Sequence, residues 1–258
     1  MAQPNWSEDE TQLAFLLYCQ MSRSQIDARH PWVIELSKLL GIRSPDSVAM
    51  KLHNIASCDP AVIAMGLKGL SHASVRDREV WTKFTPRLSD LLWASEQAIK
   101  RVAPQPTDEQ RQQIHQFKTF VGLTEVTQET VVRRAQRFFR DTVLASYEYK
   151  CAVSGIEKRQ LLCASHIIPW SQDPDRRTDP QNGLSLSALH DRAFDRGLIS
   201  FDEAGQLLVS QKLKEGRPNA VIQASILELE GKPLDVAKRF APDPLALAYH
   251  RDRIYKAS

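Results

Sequence analysis

A chain of 258 residues with 42% hydrophobic and 25% charged side chains has the composition of an ordinary globular protein, with apolar residues enough for one large core or two modest ones. No apolar run nears the roughly 20 residues of a membrane span, and the opening MAQPNWSEDE lacks a basic segment followed by an apolar one; the reading is a cytoplasmic protein without membrane contact. The net charge of +3 is too mild to mark a nucleic-acid binder by itself, and four cysteines without a Cys-x-x-Cys pair argue against a disulfide framework.

The first hundred residues read as helices. Asn5 or Ser7 caps a helix carrying Leu13, Leu16 and Leu17, and Glu10 completes a capping box with Ser7. A second helix follows Pro31 through Val33, Leu36 and Leu39 and stops at Gly41. A third starts at Ser44 or Asp46, with Pro45 in its first turn, and continues through Val48, Leu52 and Ile55. Three short helices with a glycine-containing turn make a helix-turn-helix-like unit, and residues 1–102 are read as a helical DNA-binding domain. Its third helix would turn Ser47, Lys51, His53 and Asn54 outward, with Lys51 and Asn54 as candidate DNA contacts; packing against the rest of the chain is the alternative. Residues 72–101 continue the helical pattern through Trp81, Phe84, Leu88, Leu91 and Ile99, whereas 103–129 are polar and Pro-containing, an ambiguous linker.

From Thr130 the pattern predicts a long helix to Tyr147, with Val132, Ala135, Phe139 and Val143 on its apolar face and Arg133, Arg137 and Arg140 as a basic stripe. Residues 151–153 and 161–168 read as the two strands of a hairpin, 198–201 and 206–210 as another, and a helix closes the chain after Pro244. His166 follows a small apolar run, Asn182-Gly183 opens a turn, and His190 begins a short helix. Strand, loop and helix of that kind can meet around one phosphate. Cys151 and Cys163 read as small buried hydrophobes, with a zinc site shared with two histidines as the alternative.

The series Cys151, Ser154-Gly155, Ser165-His166-Ile167, Pro169, Asn182-Gly183-Leu184, His190-Asp191 and Phe194 to Ile199 resembles the HNH endonucleases with a ββα-metal fold, the restriction-type members in particular. The resemblance implies an α+β protein, in which the helical region precedes a ββα-metal nuclease domain with flanking helices over residues 130–258. It implies metal-dependent hydrolysis of double-stranded DNA in restriction or defence. An imidazole titrates near neutrality, which suits His166 as the general base. Asn182 would hold the loop against the strand, and His190 would bind the metal. Ser165 stands where the family places an Asp or His as second ligand; it would bind weakly or through water, or Asp191 or Asp195 would replace it. Mg²⁺ is the default cation, with Mn²⁺, Ni²⁺ or Zn²⁺ compatible with an imidazole ligand. Arg176, Arg177, Arg192 and Arg196 flank the site as candidate DNA contacts. One such site cuts one strand, so a double-strand break needs a homodimer or two successive nicks. Two rival readings remain: a DNA-binding regulator with an inactive core, and a nuclease acting on RNA or structured DNA.

Overall fold

Capping chemistry sets the helical half. In the computed structural model, which describes residues 4–66, 73–121, 123, 128–216 and 219–258, α1 (Glu8–Gln20) opens on the Ser7–Glu10 capping box. Helix α2 (Pro31–Leu40) opens on Pro31 and ends at Gly41, and α3 (Pro45–Ala56) is capped by Ser44. Then come α4 (Pro60–Ala64), α5 (Val75–Phe84) and α6 (Leu88–Val102), the last two separated by a tight turn at Pro86. The segment that composition left ambiguous contains α7 (Asp108–Phe120), opened by a Thr107–Gln110 capping box and anchored by the buried ring of Phe117. Residues 10–20 of α1 are all buried, because α2, α3, α5, α6 and a later helix surround it.

The face of α3 expected to meet DNA is largely covered. Lys51 is only 5% exposed and pairs at 2.8 Å with the buried Asp77 of α5, which packs across α3; His53 and Asn54 are half-buried. The outward placement of Lys51 is therefore corrected. Its ammonium pairs with a residue 26 positions away.

Helix α8 (Gln128–Ser146) serves both halves of the molecule. Phe138 is buried in the helical core and Phe139 in a second core; successive helical positions point about 100° apart, so neighbours can face different partners. Val132 is half-exposed rather than part of the apolar face, which Phe138, Phe139, Val143 and Leu144 form instead. From the C-terminal segment, Phe240 enters the helical core and stacks on Trp81 at 5.4 Å, and the fully buried Arg239 bonds the Tyr18 carbonyl.

In the second half β1 (Leu162–His166) pairs antiparallel with β2 (Gly183–Ser187), His166 opposite Gly183 and Leu162 opposite Ser187. Residues 151–153 are not the partner strand: they form a turn, tied down by Cys151 N–H to the Ile156 carbonyl and Ala152 N–H to the Ser185 carbonyl. The partner is the segment that Asn182-Gly183 had marked as a turn. Gly183 has an extended φ; its value lies in what a side chain would strike, since a Cβ there would come within 2.5 Å of Val143 and 2.9 Å of Phe139. Glycine lets β2 lie directly on α8. Helix α9 (Ala188–Asp195) follows, then the antiparallel pair β3 (Ile199–Phe201) and β4 (Leu207–Val209), the short helices α10 (Gln211–Lys214) and α11 (Ala220–Ser225), and α12 (Pro244–Arg253). The fold is helix-rich α+β with two-stranded sheets. Among the described residues no helix is long and apolar enough to cross a membrane.

Candidate active site

Two adjoining hollows of about 340 and 560 Å³ share Ala164, His166, Trp170 and Asp191. Gln136, Phe139, Arg140 and Cys163 line the smaller; Ser165, Arg192, Asp195 and Arg196 are among those lining the larger. The local topology explains this membership. Strand β2 ends at Ser187, opposite Leu162 and so at the far end of the hairpin from His166. Helix α9 turns back from there and packs along both strands. Asp191, Arg192, Asp195 and Arg196 reach the cleft, while His190, in the first turn, stays at the opposite end.

His166 is held on three sides. Its ring stacks on Phe139 at 3.9 Å and 10°, and Trp170 meets it nearly edge-on at 5.5 Å. Nε2 lies 3.0 Å from the carbonyl oxygen of Arg177, which can only accept, so Nε2 carries the proton and Nδ1 keeps its lone pair. Burial lowers the pKa of His166 below the usual imidazole value; the Arg177 carbonyl and the Asp191 charge offset this only in part. The ring is therefore neutral at neutral pH, with a free basic nitrogen.

Asn182 is 1% exposed and fully engaged. Its Oδ1 accepts from Ile168 N–H at 2.8 Å, and Nδ2 donates to the carbonyls of Ile168 at 3.1 Å and Arg176 at 3.4 Å. It thereby ties the end of β1 to the loop whose Arg177 carbonyl orients His166.

His190 lies elsewhere, which corrects its expected place at the metal. It is 1% exposed, Nε2–H donates to the Ser225 carbonyl at 2.8 Å, and Nδ1 sits 2.7 Å from Ser187 Oγ and 3.6 Å from Cys151 Sγ. Both nitrogens are occupied and neither lines the cleft. Burial acts to raise Cys151, but hydrogen bonds from His190, Ser154 and the main chain prevail and bring its thiol down to about 6; His190 is raised in turn, its burial outweighed by Cys151 and the Ser225 carbonyl. Cys151 and His190 are a buried, hydrogen-bonded pair, and Cys151 Sγ also accepts from Ser154 N–H and Ser187 N–H, which braces the turn at 151–155 against β2.

The flanking arginines divide. Arg176 is committed to Asp179 and Asp243, each at 2.9 Å. Arg177 donates to the Trp170 carbonyl and lies 5.0 Å over its ring, bracing the wall of the cleft. Arg192 and Arg196 are exposed and line the cleft, and Arg140, from the basic stripe of α8, joins them. Sequence reasoning had placed Arg140 on a stripe without connecting it to His166, and nothing marked Phe139 or Trp170 as supports of that ring.

Oxygen donors remain for a cation. Asp191 and Asp195 stand one turn apart on α9, and Asp195 is raised by burial and then by the Asp191 charge, a repulsion that a divalent ion relieves. Ser165 is 2% exposed and lines the same hollow, and its Oγ has no hydrogen-bond partner among the described residues. No group of three or more His, Cys, Asp or Glu side chains is preassembled among the described residues.

Residues 151–202 match the family model of HNH endonucleases. The match supports an HNH endonuclease domain over this stretch, and with it nuclease activity on a nucleic acid, generally with a divalent metal. No curated protein matches the chain.

Proposed function

We propose that the chain is a divalent-metal-dependent endonuclease that hydrolyses phosphodiester bonds of double-stranded DNA in restriction or defence, with His166 as general base. The observation that carries the reading is a neutral imidazole with one nitrogen tethered to the Arg177 carbonyl and the other free, in a cleft it shares with Asp191. Nδ1 takes the proton of a water molecule as that water's oxygen attacks phosphorus. Asn182 fixes the loop, and through it the tether, before substrate arrives. Arg140, Arg192 and Arg196 place positive charge around the phosphate. Asp191, with Asp195 and Ser165 beside it, would hold the metal, which supplies Lewis-acid stabilisation of the phosphate and of the departing oxygen. The oxygen-rich set favours Mg²⁺ or Mn²⁺ over Zn²⁺ or Ni²⁺.

Supercoiled plasmid, methylated and unmethylated, incubated with Mg²⁺ or Mn²⁺ tests the reading, with RNA and branched DNA as competing substrates. Nicked product is expected first, because one cleft cuts one strand. His166→Ala should slow cleavage by about 10²–10⁴-fold, the usual contribution of general-base catalysis. Wild-type protein that binds DNA yet leaves every substrate intact would instead make this a DNA-binding regulator.

A further inference from the structure

A hollow of about 770 Å³ lies in the helical half and shares no residue with the cleft around His166. It is lined by Pro4, Asn5, Trp6 and Ser7 ahead of α1, by Arg43 and Lys51, and by Ser74, Val75, Arg76 and Glu79 at the start of α5. Its volume is that of a small-molecule site.

The charges here are arranged with a direction. Arg43 and Lys51 are nearly buried, at 3% and 5% exposure, and both face the hollow. Their carboxylate partners, Glu10 and Asp77, pair with them at 2.8 Å but do not line it. Three cationic side chains and one acid, Glu79, line the space, with the paired carboxylates of Glu10 and Asp77 outside its lining. Arg43 spends its donors on Glu10 and on the Pro4 and Asn5 carbonyls, whereas the Lys51 ammonium, with three N–H groups, gives one to Asp77. The Trp6 indole lies beside both charges, its ring centre 4.7 Å from the Arg43 guanidinium and 4.9 Å from the Lys51 ammonium. The exposed Arg76 stands at the rim, and α5 starts there with its main-chain amides. The acids of α1 do not oppose an anion, since Glu8 is paired with Lys83 and Asp9 with Arg101.

A fixed aromatic side chain beside inward-facing cations, with amide and hydroxyl groups around it, matches a nucleotide. We propose that this hollow binds one, with its phosphate at Arg76 and Lys51 and its sugar and base against Trp6. The nucleotide is either free in solution or part of a nucleic-acid strand. The assignment does not depend on the nuclease reading, because its ligand contacts none of the residues around His166.

Titration calorimetry with adenosine and thymidine 5′-monophosphates, and anisotropy of a short labelled duplex in the presence of a chelator, test it on the full chain. Arg76→Glu alters an exposed side chain and should weaken binding by about tenfold or more, as losing a charged phosphate contact does. Trp6→Leu should weaken it too, with folding checked by circular dichroism. Arg111→Glu, the same charge change on exposed α7, should leave affinity unchanged. An effect on the mononucleotides identifies a free ligand, an effect on the duplex alone identifies strand engagement, and either supports the site. Failure of both probes to bind, or equal affinities for Arg76→Glu and Arg111→Glu, overturns it. His166→Ala should bind both probes as the wild type does, so loss of cleavage and loss of binding separate.

Discussion

The two ends of the β1–β2 hairpin make opposite uses of the same side chain. At one end His166 is bonded to a carbonyl and stacked on an aromatic ring, and burial prevails over the Asp191 charge, keeping the imidazole uncharged with one nitrogen free. At the other, His190 lies against Cys151, which raises the imidazole while its own thiol falls to about 6, and both ring nitrogens are engaged. The register sets Leu162 and His166 four residue steps apart along the strand, about 13 Å at roughly 3.3 Å per step. A motif histidine one position further along α9 would have reached the cleft; His190 does not, and Asp191 does. Distance along the hairpin, not residue type, decides which group reaches the cleft.

That contrast can be broken most sharply by substituting adjacent positions. Asp191→Asn should reduce cleavage by about 10²-fold or more and shift the metal requirement to higher concentration, as loss of a charged ligand does. His190→Ala should leave the metal dependence of the folded fraction unchanged while lowering stability by about 2–4 kcal/mol, through a cavity and buried partners left unpaired. Metal titrations of activity beside urea melts of both variants check this; an unchanged metal response in Asp191→Asn would return the ligand role to another group. Asn182→Ala should do both at once, because it cuts three bonds that join β1 to the loop carrying the tether of His166. A cost of about 2–3 kcal/mol in melts and a fall in kcat with little change in KM are expected.

A third histidine sharpens the comparison through pH. His250 stacks on Phe194 at 3.6 Å and burial lowers it to about 4, against about 6.5 in the unfolded chain. Between those values the unfolded chain takes up a proton that the folded one refuses, so stability is intact above pH 6.5 and declines as pH falls toward 4, by about 3 kcal/mol in all. Urea midpoints at pH 7 and pH 5 should differ in that direction, and His250→Gln should flatten the slope. A slope unaltered by that change would assign the acid sensitivity elsewhere.

What could be read from the residues was what depends on near neighbours. The caps at Ser7, Pro31 and Ser44, the β3–β4 pair around Asp202 to Gly205 and the helix after Pro244 each rest on signals within a few residues. Thr107 and Gln110 carried the same kind of signal for α7, obscured by the polar composition around them. The misplaced features depend on partners distant in sequence. Residues 151–153 and 183–187 are both short and apolar, and only the packing of Gly183 on Val143 selects the second as the strand. Lys51 looked free until Asp77 arrived from α5. The position of His190 required knowing where β2 ends.

Side by side on α8, Phe138 and Phe139 point into separate interiors, and the C-terminal Arg239 and Phe240 reach back to Tyr18 and Trp81. The half that carries His166 is consequently no detachable cassette. Grafted onto another carrier it would bare one phenyl ring, orphan a guanidinium and lose the floor beneath its tail, so recombination between relatives must exchange both halves together or repair that seam.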